Sequence, residues 1–348
     1  MTQIGQPSPE QPPNLLSQLT LKQTSANEFQ TLHPPRKMGN PLNIAYGGYA
    51  LAAAAKAACL SVPEGYHLYS LQGNFLGPAY TDRILCVSVR SVRQTRVFGT
   101  RVVEVWQPSP TRTKNKEGEG EGEGEEEEDT GRKRPCLLAT ADFMLPEPNS
   151  LLSYSATSLH AYPTWSACPT QDTAFDNLVH SGKVEKQLLD AHSKGFALLK
   201  QHFEQRLPPS SIFAHNLYGL AKALPHPQDS VPSAERTTAD WIKSIEPISS
   251  TADNLAALAF LMDAAIAFLP LSFNHAWFDD VAAVSSLDFS LRLFTADVRV
   301  DRWLLRELRS PVAGQGRSFG EAWVWGEDGK AVACMSQQSI LRPAKGKL

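Results

Sequence analysis

Asp263 stands in a run of apolar residues, Leu255 to Phe268, that has the composition of a buried helix. An ionised carboxylate there is costly unless it is hydrogen-bonded or paired, so Asp263 needs dedicated polar partners or a raised pKa. Acids perturbed in this way are enriched where protons are transferred. The chemistry such an acid offers is proton transfer. Two more polar residues fit that pattern. Ser286 opens the strand-like run after the helix, and Gln337 lies in the last strand, between Ser336 and Gln338, where alternation calls for some apolar residues. Taken singly, Ser286 and Gln337 are also ordinary sheet-surface residues. The competing reading of Asp263 is a solvent-facing position, or one satisfied by a neighbouring backbone group.

The elements that must position these residues occur twice along the chain. Gly47-Gly48-Tyr49 runs into the apolar stretch Ala50 to Cys59 before Val62-Pro63, and Leu255 to Phe268 runs to Leu269-Pro270. Ser70-Leu71 is answered by Ser286-Leu287, and Arg96-Val97-Phe98-Gly99 by Arg317-Ser318-Phe319-Gly320, each before a strand with alternating tryptophan. Phe143-Met144-Leu145-Pro146 is echoed by Ile340-Leu341-Arg342-Pro343. Four echoes in one order argue for a duplicated unit. Each unit reads as one helix followed by antiparallel strands, an α+β arrangement. A helix that is apolar nearly all round must be covered on most sides, and a curled sheet supplies that cover. Aligning Pro63 with Pro270 sets Lys56 opposite Asp263.

The 348 residues suit about two domains of ~150 residues. The longest apolar stretch, 255–270, is interrupted by Asp263 and falls short of the ~20 residues a membrane span needs, so a core helix is expected. The polar, proline-rich start shows no secretory signal, and cysteines 59, 86, 136, 168 and 334 form no Cys-x-x-Cys or Cys/His ligand spacing, which points to a reducing interior. The expected location is the cytoplasm, with the peroxisome left open by the ending Gly346-Lys347-Leu348, which has glycine where a Ser-Lys-Leu address has serine. Residues 107–135 hold nine acids against six bases and so account for the whole net charge of -3. The rest is neutral overall, with no basic surface for nucleic acid.

The Glu/Gly tract within 107–135 is expected to be a disordered insertion at a hairpin tip, since the second unit has only the short turn Gly326 to Lys330 there. The expected division is an N-terminal unit over 1–146, a connector over 147–250 with a helix from about Phe175 to Gln205, and a C-terminal unit over 251–348.

At this point the motifs become specific. Leu261-Met262-Asp263 before Phe268-Leu269-Pro270, Ser285-Ser286-Leu287-Asp288, the glycine-containing hairpin, and Val332-Ala333 leading to Gln337 resemble the acyl-CoA thioesterase II family of double hotdog proteins. Gly47-Gly48, Lys56, Phe75-Leu76-Gly77-Pro78, Phe143 to Pro146 and Trp241-Ile242 extend the resemblance to most of the chain outside 107–135 and much of 150–235. The resemblance implies two tandem hotdog units and a catalytic set made of a helix aspartate, a strand Thr or Ser, and a glutamine of the last strand. Those positions here are Asp263, Ser286 and Gln337. Serine keeps the hydroxyl but lacks the methyl that restricts its rotamer.

The expected reaction is hydrolysis of an acyl thioester, carried by CoA or by a carrier protein, without metal or cofactor. Gly47 and Gly48 are candidate oxyanion or phosphate donors at a helix N-terminus, or else sites of close packing. Arg96 and Arg317 are candidates for CoA phosphates, equally explained by hairpin structure. Phe75, Phe260 and Phe268 are candidates for shortening the acyl groove. No Gly-x-Ser-x-Gly motif points to an acyl-enzyme. His275 keeps a hydratase or dehydratase open, and a non-catalytic acyl-thioester-binding or scaffold protein is the reading from another class. Exposed sheet edges leave room for a homo-oligomer.

Overall fold

The alanine-rich segment after Gly47 becomes a helix because nothing in it breaks one, and all of its residues from Gly48 to Ala58 are buried. Such a helix cannot lie on a surface, and the chain is built round it and its counterpart. A computed structural model describes residues 14–109 and 133–344. In chain order the first half contains α1 (Leu15–Gln18), β1 (Leu21–Ser25), β2 (Glu28–Thr31), α2 (Gly48–Leu60), β3 (His67–Phe75), β4 (Cys86–Gln94), β5 (Phe98–Pro108) and β6 (Lys133–Met144). Then follow α3 (Gln171–His180), α4 (Lys186–Gly195), α5 (Ala197–His202), β7 (Phe203–Arg206), α6 (Ile212–Asn216) and β8 (Thr237–Ser244). The second half has α7 (Thr251–Met262), α8 (Leu269–Phe273), β9 (Val281–Ser286), β10 (Asp288–Leu293), β11 (Leu304–Gly314), β12 (Arg317–Gly326) and β13 (Ala331–Pro343).

The described strands form one antiparallel sheet in the order β1-β2-β4-β5-β6-β3-β10-β13-β12-β11-β8-β7, with β9 also paired to β13. Two curled halves meet edge to edge where β3 pairs with β10, Leu71 opposite Leu291 and Asn74 opposite Asp288. α2 and α7 pack against each other inside them. This is the double hotdog, an α+β fold. The stretch Thr251–Phe273 is long and apolar enough to cross a membrane by composition, but 94% of its most apolar 18-residue window is buried inside the protein. It is a core element.

Four expectations are corrected by the structure. The second helix does not run to Pro270. α7 stops at Met262 with Asp263 as its C-cap, Ala265 takes a left-handed φ of 83°, and Pro270 lies in the first turn of α8. Proline suits a first turn because the missing N–H has no helical partner there. The 147–250 segment is also more than a connector, since β7 and β8 within it join the sheet, β8 pairing with β11. The helix expected over 175–205 is three shorter ones followed by a strand. Finally, β5 reaches Pro108 and β6 starts at Lys133, so both ends of the 107–135 segment are ordered strand; the remainder of that segment lies outside the described residues.

The linker after β6 does lie over the sheet. Trp325 Nε1 donates to Ala156 O at 2.8 Å, Trp241 Nε1 to Pro163 O at 2.8 Å, and Trp165 stacks on Trp303 at 5.1 Å. The alternating tryptophans thus form a second apolar layer on the outer face, under this strap.

Candidate active site

α2 and α7 run antiparallel, which brings the end of one to the start of the other. Asp263, at the C-cap of α7, therefore meets the N-terminus of α2 and accepts the Gly48 N–H. A carboxylate is electrostatically favoured there by the exposed N–H groups of a helix start. Its other partners come from the sheet: Gln337 Nε2 donates to Asp263 Oδ1 at 2.7 Å, and Ser286 Oγ donates to Gln337 Oε1 at 3.4 Å. The structure brings Asp263, Ser286 and Gln337 together. Burial pushes the Asp263 carboxyl up to about 6, against the opposing pull of hydrogen bonds from Gln337, Gly48 and Ser286.

The glycine pair serves this closeness. A Cβ on Gly48 would lie 2.7 Å from the Phe260 carbonyl oxygen, and one on Gly47 would lie 2.8 Å from Asp263 Oδ2. Close packing and N–H donation are here the same feature. Gly48→Ala is expected to force the helices apart, costing roughly 1–3 kcal/mol in a denaturation experiment, with at least a roughly tenfold loss of turnover. Unchanged values for both would refute this.

The other end of the helix pair shows how the two halves diverged. Lys56 of α2 lies at the N-terminus of α7, where its charge opposes the helix dipole, and it is neutralised by Asp253 of the first turn at 2.5 Å. Its Nζ also donates to Leu19 O at 2.9 Å. The place equivalent to the Asp263 site is thus filled by a closed ion pair.

Asp263 and Ser286 open onto a cavity of about 550 Å³ whose walls are mainly apolar, among them Tyr46, Phe75, Phe196, Phe268 and Phe278. Phe75 and Phe268 do line it, but Phe260 does not. Phe260 is fully buried edge-on to Tyr46 and Tyr49, on the face of α7 that meets α2.

Sequence reasoning missed the support beneath Asp263. Arg306, fully buried on β11, donates from Nη1 to Leu261 O and Ala264 O at 3.1 and 3.2 Å, holding the chain on both sides of Asp263. Its Nε and Nη2 bind Asp240 of β8 at 2.9 and 2.7 Å, and Asp240 also accepts from Gln205. The sequence carries little signal for this pair, since Asp240 and Arg306 stand among other polar residues, Thr237, Thr238 and Lys243 in β8 and Glu307 and Arg309 in β11.

His275 is absent from the cavity wall. It has a left-handed φ of 55° and contacts Lys222 O at 3.0 Å and Asp229 Oδ1 at 2.7 Å. His226, Asp229 and His275 bring three ligand-type atoms together, but His226 Nδ1 accepts the Gln228 N–H, so its Nε2 carries the ring proton and faces Phe273 O and Asp229. That donor set does not fit a metal ion. The cluster fastens the 222–236 loop to the segment carrying Phe278. Arg96 and Arg317 lie at hairpin tips, as the structural reading of the repeated Arg-x-Phe-Gly holds.

The fold, two fused hotdog units with one polar site at the end of an apolar cavity, defines the class. The model for the acyl-CoA thioesterase N-terminal domain matches residues 34–144, and that for the C-terminal domain matches residues 190–341. The chain belongs to the acyl-CoA thioesterase family and is a thioester hydrolase. It is 22% identical to human acyl-coenzyme A thioesterase 8 over 307 residues, which is 87% of this chain and 82% of that protein. Among solved structures it resembles the acyl-CoA thioesterase II TesB2 of Mycobacterium marinum (TM-score 0.63, 18% identity, 95% of this chain and 97% of the other). It also resembles a tesB protein of Mycobacterium avium subs paratuberculosis (TM-score 0.62, 15% identity, 94% and 98%).

Proposed function

We propose that acyl-CoA hydrolysis by this chain runs through Asp263 as general base, with Gln337 and Ser286 placing the water and the thioester carbonyl, and with no metal or cofactor. Ionised Asp263 takes a proton from the water, and the resulting hydroxide attacks the thioester carbon. The tetrahedral oxyanion is stabilised by the Gly47 N–H, which lies at the start of α2 in the cavity wall. Its collapse breaks the C–S bond, the thiolate leaves, and Asp263 returns the proton to it. The observation that carries this reading is the Gln337 Nε2 to Asp263 Oδ1 bond of 2.7 Å, by which buried Gln337 orients a carboxylate that lines the apolar cavity. Thiol release from a panel of acyl-CoAs tests it; binding without release would leave a non-catalytic binder instead.

The raised pKa sets a pH dependence. The base must be ionised, so kcat/KM should fall about tenfold per pH unit below about 6 and level off above it. A flat profile down to about pH 5 would remove Asp263 from that role.

Two finer points are proposals of the same kind. Self-association is supported by β1 at a sheet edge, with four of its five residues exposed, and light scattering that reads a monomer would refute it. The Gly346-Lys347-Leu348 ending lies outside the described residues. Fused to a fluorescent protein, it decides between a cytoplasmic and a peroxisomal location.

A further inference from the structure

Among the described residues, the acyl cavity has no lysine or arginine in its wall, so whatever holds the anionic end of a CoA thioester must lie beyond its mouth. Several nearby bases are already engaged. Arg83 is paired to Asp82, Lys200 to Asp172 and Lys222 to Asp279, while Arg134 lies over the Tyr80 ring. Arg36, Lys37 and Lys194 are not. They line a recess of about 370 Å³ that contains no acidic residue, and none of the three pairs with a carboxylate among the described residues. Arg36 Nη1 is oriented by Gln201 Oε1 at 2.8 Å, which leaves its other donors free for a ligand, and Lys37 Nζ reaches only Pro41 O at 3.4 Å. Lys37 and Lys194 are exposed.

This recess adjoins the cavity through consecutive residues. Lys37 lines the recess and Met38 the cavity; Gly195 lines the recess and Phe196 the cavity. The Gly39 N–H donates to Gly195 O at 2.8 Å and ties the two segments together as the rim between them.

We propose that Arg36, Lys37 and Lys194 hold the phosphates of the CoA nucleotide, with the pantetheine arm crossing the Met38–Phe196 rim to place the thioester at Asp263. The proposal rests on the hydrolase reading above and deepens it, because it assigns the residues that recognise the nucleotide end of the substrate. Phosphate oxygens are strong acceptors for an arginine fork and for the point charges of lysines. A concave recess suits a nucleotide, whereas an acidic carrier protein would dock on a broad convex patch.

The test compares wild type with Lys37→Ala/Lys194→Ala, two exposed positions whose truncation leaves the core untouched, and with Arg36→Ala as a separate variant. Binding of CoA and of pantetheine is measured by calorimetry, and steady-state kinetics use acyl-CoA, acyl-pantetheine and acyl-carrier protein. The double variant should raise KM for acyl-CoA and Kd for CoA by roughly tenfold, with kcat within about twofold and acyl-pantetheine unaffected. Added salt should weaken wild-type binding of CoA more than that of the variant. Equal CoA affinity in wild type and variants would overturn the proposal while leaving hydrolysis intact. Loss confined to acyl-carrier protein would overturn it in favour of protein docking. If wild type binds CoA through these residues but releases no thiol, the hydrolase mechanism fails and the phosphate site stands.

Discussion

Asp263→Asn should lower kcat/KM by about three orders of magnitude, within the roughly 10²–10⁴ range that positioned proton transfer contributes. The side chain keeps its shape, and Gln337 can rotate its amide to present oxygen to the introduced carboxamide, so the loss should appear in turnover rather than in folding. The same substitution is expected to stabilise the protein. The Asp263 pKa rises from 3.8 to about 6 on folding, so the folded state binds this proton more tightly than the unfolded chain. Its contribution is therefore most favourable below about pH 4, is lost as pH rises to about 6, and above that leaves a cost of about 3 kcal/mol for the buried charge. Asp263→Asn removes that cost. Denaturant melts of both proteins at about pH 8 and about pH 4 should show a gain at the higher pH that shrinks towards zero at the lower one. A variant that is inactive but less stable at both pH values would mean that the carboxylate holds the site together rather than driving the reaction.

Arg306→Ala carries the largest expected loss of stability, about 3–5 kcal/mol, because it strands Asp240 in a fully buried place with Gln205 as the remaining amide donor. It also uncaps Leu261 O and Ala264 O on either side of Asp263. The double change Asp240→Leu/Arg306→Leu separates the two effects. Replacing a buried pair by apolar groups of similar size is often neutral for stability, so the fold should recover much of the loss. Turnover should not recover, since the carbonyls that set the Asp263 turn still lack their donor. Chemical denaturation reads the first quantity and kcat the second. A double variant with full activity would show that Arg306 supports the fold without positioning the base.

Much of this protein is legible in its residues because two periodicities are written plainly. The apolar runs at 49–55 and 255–262 contain no charged residue, no glycine and no proline, and the alternation in β5 and β12 marks one face as buried. The repeated Arg-x-Phe-Gly located the same hairpin in each half. The site was legible in part for the same reason, since an acid inside an apolar run is conspicuous. Boundaries were not. The helix end at Met262 is set by the Arg306 guanidinium on its carbonyls and by the left-handed turn at Ala265, and the first of these depends on a strand some forty residues away. β8 was missed because Thr237 and Thr238 follow a Ser/Pro-rich stretch, and its place in the sheet is decided by pairing with β11.

The sequence by itself determined the duplication, the two core helices and the acid that distinguishes them, because burial of apolar surface and the expense of a buried charge can be read residue by residue. Only the tertiary structure decided what surrounds that acid. The antiparallel packing of α2 and α7 delivers the Gly48 N–H to Asp263 and sets Lys56 against Asp253, while pairing of β9 with β13 brings Ser286 to Gln337. These partners are separated by roughly fifty to more than two hundred residues, and a hydrogen bond acts over a few ångströms in space, whatever the distance along the chain.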